Sequence, residues 1–272
     1  MPSDLASILR LAESAAQAGG HVLHRYWHDG VELRDKSEVG GKSYDLVSDA
    51  DLESQSVIAN LIASVCPDHE LMGEEDLIGD TDAEHLWVID PLDGTNNFLH
   101  HVPHFAVSIA YYHNGTPTVG VVLNPISGDT YTAVKGDGAK HNGAPLRTAT
   151  ATELSTALVG CGFYYDRGAM MRSTLSAIED FFAHDIHGIR RFGTAALDLC
   201  AVASGMFGAF FEYKLSPWDF AAGQLVVTEA GGKVSDAKGN PLGLQPSSVL
   251  ASCPGLYDAA LEITAKHHPA SS

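Results

Sequence analysis

Trp87-Val88-Ile89-Asp90-Pro91-Leu92-Asp93-Gly94-Thr95-Asn96-Asn97-Phe98 (WVIDPLDGTNNF) runs an apolar, strand-like segment into two aspartates. Trp87 to Asp90 reads as a buried strand, and Pro91 fixes its own φ while biasing Asp90 toward extended backbone. The chain is then expected to turn. In that turn Asp90 and Asp93 converge, the Leu92 carbonyl is free as a third oxygen, and Gly94 lets the backbone approach a ligand closely. Carboxylates this close repel unless something positive sits between them.

No side chain nearby supplies that charge. From Ser43 to Val134 there is no Lys or Arg, while fifteen Asp and Glu fall in the same span. These acids are therefore either spread over a solvated surface or gathered around cations taken from solution. The formal net charge of −18 disfavours polyanionic partners, so neither nucleic acid nor membrane is expected, and an anionic small substrate needs a metal bridge. With 272 residues and 45% apolar content the chain can bury one large core or two modest ones. Cys66, Cys161, Cys200 and Cys253 are scattered with no C-x-x-C pair, which supports neither a zinc knuckle nor a redox motif. The N-terminus (MPSDLASILRLAESAAQAGG) reads as neither signal peptide nor membrane span, and a cytoplasmic location is expected.

Leu5, Ile8, Leu9, Ala12, Ala15, Ala16, Val22 and Leu23 recur at helical spacing and predict a long first helix interrupted near Gly19 and Gly20. A second helix is expected after Ser48, with Leu52, Ile58, Leu61, Ile62 and Val65 as its buried face. Strands follow at Leu86 to Asp90, Phe105 to Tyr112, Thr118 to Leu123 and Thr130 to Val134, forming a largely antiparallel sheet. Lys135 to Leu146 (KGDGAKHNGAPL) reads as a Gly-rich connector. Beyond it strands and helices alternate, with helices at Ala169 to Ala183, Thr194 to Ala203 and Pro217 to Ala230. The expected organisation is an N-terminal α+β half, 1–145, carrying Glu74 and the Asp90/Asp93 loop, and a C-terminal α/β half, 146–272, carrying Asp219.

Oxygen-only ligands suit hard cations, Mg²⁺ or Mn²⁺, which keep several waters or substrate oxygens. A short helix starting at Gly94 adds free N–H groups that favour phosphate. The competing account makes Asp90 and Asp93 ordinary turn acids. An EF-hand loop is excluded, since DPLDGTNNFLHH lacks its alternating acids and late Glu. The Asp-x-Asp-Gly-Thr of aspartyl-phosphate phosphatases is a near miss, because the two acids here are separated by one residue more. Glu74 and Glu75 in LMGEED read as a loop after the second helix. Asp219 in Ser216-Pro217-Trp218-Asp219 has a structural reading as a capping-box acid after an N-cap and an N1 proline, and Asp51 bears the same relation to Ser48. His100, His101 and His104 suggest zinc at first glance, but Pro103 breaks any helix that would align them, so they read as surface or packing residues.

Gly73-Glu74-Glu75, Asp90-Pro91-Leu92-Asp93-Gly94-Thr95 and Trp218-Asp219-Phe220-Ala221-Ala222-Gly223 together resemble, in order and separation, the three signatures of the inositol monophosphatase family. The similarity extends to PHFAVSIA (Pro103 to Ala110), FGTAALDL (Phe192 to Leu199) and VTEAGG (Val227 to Gly232). The resemblance implies an α+β fold layered αβαβα, a homodimer and a Mg²⁺-dependent phosphomonoesterase. It places Glu74, Asp90, Asp93, Asp219 and the Leu92 carbonyl around Mg²⁺, with about two or three ions per site and Mn²⁺ as an alternative. It has Thr95 and Glu74 orient and activate the attacking water, Asp51 support Thr95, Gly94 and Thr95 meet the phosphate, and Gly193, Thr194, Ala195 and Glu212 face the alcohol part of the substrate.

Three departures accompany the match. Asn97 stands where the family often has Thr, which leaves the ligand set intact. Gly40 and Gly41 occupy the place of the family's frequent Lys, with Lys42 off register. The loop GCGFYYDRG (Gly160 to Gly168) offers Tyr165, Asp166 or Arg167 to a leaving group. The motifs therefore imply hydrolysis of inositol monophosphate or a related polyol or sugar phosphate, with histidinol phosphate, fructose 1,6-bisphosphate and nucleotide phosphates as alternatives. A reading from another class is a regulatory protein that binds the transcription machinery.

Overall fold

The computed structural model of the chain describes residues 4–29, 33–35 and 46–269. Gly40, Gly41 and Lys42 lie outside them. Helix α1 (Leu5–Asp29) is followed by the short pair β1 (Leu33–Asp35) and β2 (Leu46–Ser48), then α2 (Asp49–Val65). Strands β3 (Glu70–Gly73), β4 (His85–Asp93), β5 (Ala106–His113), β6 (Thr116–Leu123), β7 (Thr130–Val134), β8 (Gly138–His141) and β9 (Ala144–Pro145) form one sheet in sequence order, with helix α3 (Thr95–Leu99) between β4 and β5. Every neighbouring pair is antiparallel except β3 with β4. A second sheet has the order β11 (Gly188–Arg190), β10 (Leu158–Cys161), β12 (Ala209–Leu215), β14 (Ser247–Ser252) and β13 (Lys233–Ser235). Helices α4 (Ala169–Ala183), α5 (Ala195–Ala203), α6 (Pro217–Glu229) and α7 (Tyr257–Lys266), with a short 3-10 turn at Leu154–Thr156, complete the described elements.

Side-chain alternation assembles these into layers. Successive residues of a strand face opposite sides of its sheet. Along β4, Trp87 and Ile89 enter a core shared with α1 and α2, whereas Leu86 and Val88 enter a second core shared with α5 and α6. Strand β12 repeats this one layer further on, with Phe210 facing α5 and α6, and Phe211 and Tyr213 facing α4 and α7. The layers are therefore α1/α2, seven strands, α5/α6, five strands and α4/α7, which is the expected αβαβα sandwich. A strand covered on both faces loses its polar side, which is why β4 reads as an unbroken apolar run. Each fully buried Leu, Val or Ile in it contributes about 1.5–3 kcal/mol. Helix α5 lies in the middle layer with all of its residues buried, and small residues such as Ala195, Ala196 and Ala201 fill it.

Four expectations are corrected. Helix α1 is not interrupted at Gly19 and Gly20; the glycines are contact points, since a Cβ on Gly19 would lie 2.6 Å from Ile58 Cδ1 and one on Gly20 2.9 Å from Leu123 Cδ2. Helix α2 does not bury Leu52 or Val65, which are 41% and 42% exposed. Its inner face is Ala50, Asp51, Ser54, Gln55, Ile58 and Ile62. Lys135 to Leu146 is not a plain connector, because it contains β8 and β9 and extends the first sheet. Finally, the chain does not turn after Asp90. Strand β4 continues to Asp93 through an irregularity, Asp90 pairing with Ser108 and Asp93 with Ala106.

Candidate active site

The irregularity in β4 aims the aspartates. Between Asp90 and Asp93, Pro91 and Leu92 of β4 stand against the single residue Val107 of β5, and a bulge of this kind re-aims side chains beside it. Asp90 turns one oxygen back to accept from the Leu92 N–H at 3.0 Å, while its Oδ2 is buried without a hydrogen-bond partner. Asp93 Oδ2 accepts from the Ala196 N–H at 2.6 Å, at the start of α5. Asp219 Oδ2 accepts from the Ser216 N–H at 2.6 Å, so the expected capping acid of α6 does cap its helix while its carboxyl also reaches the cleft. Structural and ligand-directed readings of Asp219 are thus compatible.

The buried polar face of α2 explains where the other acidic segment sits. Ser54 Oγ donates to the Pro91 carbonyl at 3.1 Å. The Gln55 amide clamps Glu75 from both sides, donating to its carbonyl and accepting from its N–H, and so fixes the backbone next to Glu74. These bonds require Ser54 and Gln55 to face inward, which rotates Leu52 out to solvent. Neither residue was singled out in the sequence; the one available signal was a polar pair in register with Ile58 and Ile62.

Glu74, Asp90, Leu92, Asp93, Gly94, Thr95, Gly193, Ala195, Glu212 and Asp219 all line one cleft of about 340 Å³. Asp51 and Thr194 are buried rather than lining it. The Thr194 hydroxyl donates to the His104 carbonyl at 2.7 Å, and Thr95 Oγ1 donates to the Leu92 carbonyl at 3.2 Å. Helix α3 begins after Gly94, whose φ of 92° is the left-handed conformation that glycine tolerates. Asn97 then stitches α3 to the 192–194 segment, its amide lying 2.7 Å from the His104 carbonyl, 2.8 Å from the Phe192 carbonyl and 3.2 Å from Thr194 Oγ1. The His triplet shares no metal-type geometry: His101 packs edge-on to Trp27, and His104 against Phe192. In the loop after β10, Tyr165 lines the cleft, as do Phe163 and Tyr164, whereas Asp166 caps α4 through the Gly168 and Met170 N–H groups.

Electrostatics mark this cleft as incomplete in the polypeptide alone. Burial pushes the Asp90 carboxyl well above the usual range, and the charges of Glu74, Asp93 and Asp219 push it further. Burial raises Asp93 to about 7 against the pull of the Ala196 N–H, and raises Asp219 to about 7 with help from Asp93. Glu212 is driven well upward by burial and by Asp219. Behind them Asp198, with one oxygen buried and unpartnered, is raised to about 8 by burial, which Arg191 partly offsets. Buried like charges in one cleft with unspent oxygens form a donor set suited to hard divalent cations. Two cationic side chains also line the cleft, Arg191 and Lys214, the latter with Nζ 4.6 Å from the Tyr164 ring centre. The sequence reading missed both, although Lys214 shares a strand face with Glu212 two residues before it.

The comparisons with known proteins cover this whole architecture. Residues 4–269 match the model of the inositol monophosphatase family. The chain is 39% identical over 258 residues to the Nus factor SuhB of Salmonella typhimurium, spanning 93% of this chain and 94% of that one. It is 38% identical over 251 residues to the inositol-1-monophosphatase of Synechocystis, spanning 92% and 86%. The crystal structure of the extragenic suppressor protein suhB of Bartonella henselae superposes with a TM-score of 0.88 at 34% identity, covering 96% of this chain and 99% of that one. A match running through every layer of the sandwich is more than a shared motif, and the chain belongs to the inositol monophosphatase family.

Proposed function

We propose that the chain is a Mg²⁺-dependent phosphomonoesterase that releases phosphate from inositol monophosphate or a related polyol or sugar phosphate by direct attack of water. The observation that carries this reading is the buried convergence of Asp90, Asp93 and Asp219 with an unpartnered Asp90 oxygen. Glu74, Asp90, Asp93, Asp219 and the Leu92 carbonyl would hold Mg²⁺, which when bound would supply the positive charge that polarises the phosphate, favours ionisation of water and stabilises the leaving oxygen. Thr95 and Glu74 orient that water, Glu74 takes up its proton, and Asp51 supports Thr95. The backbone at Gly94 and Thr95 meets the phosphate. Glu212 accepts hydrogen bonds from substrate hydroxyls, and Gly193, Thr194 and Ala195 shape the wall beside it. Dimeric assembly is part of the same proposal.

Measuring phosphate release from inositol 1-phosphate and from a panel of sugar, amino-alcohol and nucleotide phosphates, with and without Mg²⁺, tests this. Mg²⁺-dependent release that favours a polyol phosphate is expected. No release from any member of the panel would sink the reading. A second reading has its own support in the relatives named Nus factor, which suggest a partner in the transcription machinery. Full rescue of a deletion phenotype by Asp93→Asn would favour that role over catalysis.

A further inference from the structure

The opposite end of β4 holds a second cluster of metal-type donors. His85 and His113 sit directly opposite each other on the antiparallel strands β4 and β5. Opposed side chains on one face of a sheet lie within contact distance, and the two imidazoles stack at 5.1 Å with planes 11° apart. Glu84, just before β4, has its carbonyl tied to the Asn114 N–H at 2.8 Å. Its carboxylate reaches both rings, with Oε1 3.4 Å from His113 Nε2 and 3.8 Å from His85 Nε2. One ligand atom from each of the three lies within 4.8 Å of the others.

The surroundings hold the His85 ring in place. Its Nδ1 is 2.7 Å from the Tyr111 hydroxyl, and His69 stacks on it at 4.4 Å, itself held by the Trp87 indole N–H at 3.0 Å. A metal-binding imidazole ordinarily spends its second nitrogen on such an oxygen, which fixes the ring and keeps the other lone pair for the ion. In the tautomer whose Nδ1–H donates to the Tyr111 hydroxyl, one of the two that this contact allows, His85 Nε2 would turn its lone pair toward Glu84. At His113 the Nε2 atom also receives the Asn114 amide at 3.2 Å, a donor contact that an ion would replace. Two imidazole nitrogens and one carboxylate oxygen suit Zn²⁺ and disfavour Mg²⁺, whose sites are built from oxygen alone.

We propose that Glu84, His85 and His113 form a Zn²⁺ site that staples the start of β4 to the end of β5, with solvent completing the coordination. Asp90 lies five residue steps along the strand from His85, ~17 Å of extended chain, so this site is distinct from the acidic cleft. The ordinary alternative is an exposed Glu–His ion pair, which binds no metal and contributes little. Equilibrium dialysis against Zn²⁺ in excess Mg²⁺, with metal analysis, separates the two. Wild-type protein and Asp90→Asn are expected to retain one Zn²⁺ equivalent that Mg²⁺ does not displace. His113→Gln and Glu84→Gln are expected to lose that equivalent while keeping the wild-type circular dichroism. Because the Glu84 carboxylate is exposed, its variant also serves if His113→Gln misfolds. Equal Zn²⁺ content in wild type and Glu84→Gln would overturn the proposal, as would loss of the Mg²⁺-resistant equivalent in Asp90→Asn.

Discussion

Asn97 replaces a threonine frequent in the family, and three acceptors converge on its amide nitrogen. A threonine hydroxyl carries one proton, so it cannot serve the His104 and Phe192 carbonyls together. The amide thus ties α3, which follows Asp90 and Asp93, to the 192–194 segment that leads into α5. Removing it leaves the His104 carbonyl with the Thr194 hydroxyl alone and the Phe192 carbonyl to solvent, so the loss is that of ordinary hydrogen bonds, about 0.5–1.5 kcal/mol. Asn97→Ala is expected to lower stability by that amount in urea denaturation and to raise KM more than it lowers kcat, because the substrate-side wall loosens while the acids stay. A kcat loss with KM unchanged would count against this role.

Helix packing shows how close contact outweighs intrinsic propensity. Gly19 lies inside the continuous α1, where replacing glycine by alanine ordinarily gains about 1 kcal/mol. At this position an added Cβ meets Ile58 Cδ1 at 2.6 Å and Ser54 Oγ at 2.8 Å. Overpacking costs about 1–3 kcal/mol, and Ser54 is also the residue that holds the Pro91 carbonyl. Gly19→Ala is therefore expected to destabilise the protein, with Ile58→Val added to the variant restoring part of the loss in thermal denaturation. A melting temperature at or above that of the wild type would contradict the close approach of α1 and α2.

Across the whole molecule, the proposed cation binding is set against the stability of the bare polypeptide, in which the cleft buries like charges. Asp93 and Asp219 are raised from 3.8 to about 7 by burial, and Asp198 to about 8. For a carboxyl raised in the folded state the native form binds the extra proton, so its contribution is full below about pH 4 and is lost as pH climbs through 7 to 8. In EDTA, Asp93→Asn should thus be indistinguishable from wild type near pH 4 and more stable near pH 8. A gain of about 1 kcal/mol at the higher pH corresponds to roughly 2–4 °C in scanning calorimetry. Mg²⁺ should reverse that order by binding the folded wild type, while turnover of the variant falls ~10²–10³-fold. A drop in the melting temperature of the variant at pH 8 in EDTA would mark Asp93 as a structural residue instead.

Local pattern carried a large part of this protein. The period of 3.6 placed α1, and the expected bounds of α4 hold to the residue; β-rich runs located four of the seven strands of the first sheet; and the resemblance of the motifs around Glu74, Asp90, Asp93 and Asp219 to one family supplied the candidate ligands. These features are legible because covalent spacing and side-chain period act within a few residues. What tertiary structure alone decided involves partners distant in the chain. The inward face of α2 is polar because Ser54 and Gln55 bond backbone groups at Pro91 and Glu75. The glycines of α1 are contacts rather than breaks because Ile58 and Leu123 pack on them. Arg191 and Lys214 reach the acidic cleft only when the two sheets close around α5 and α6. His85 and His113 become a pair only through strand register, a quantity set by two faces of packing at once and invisible to any one stretch of sequence.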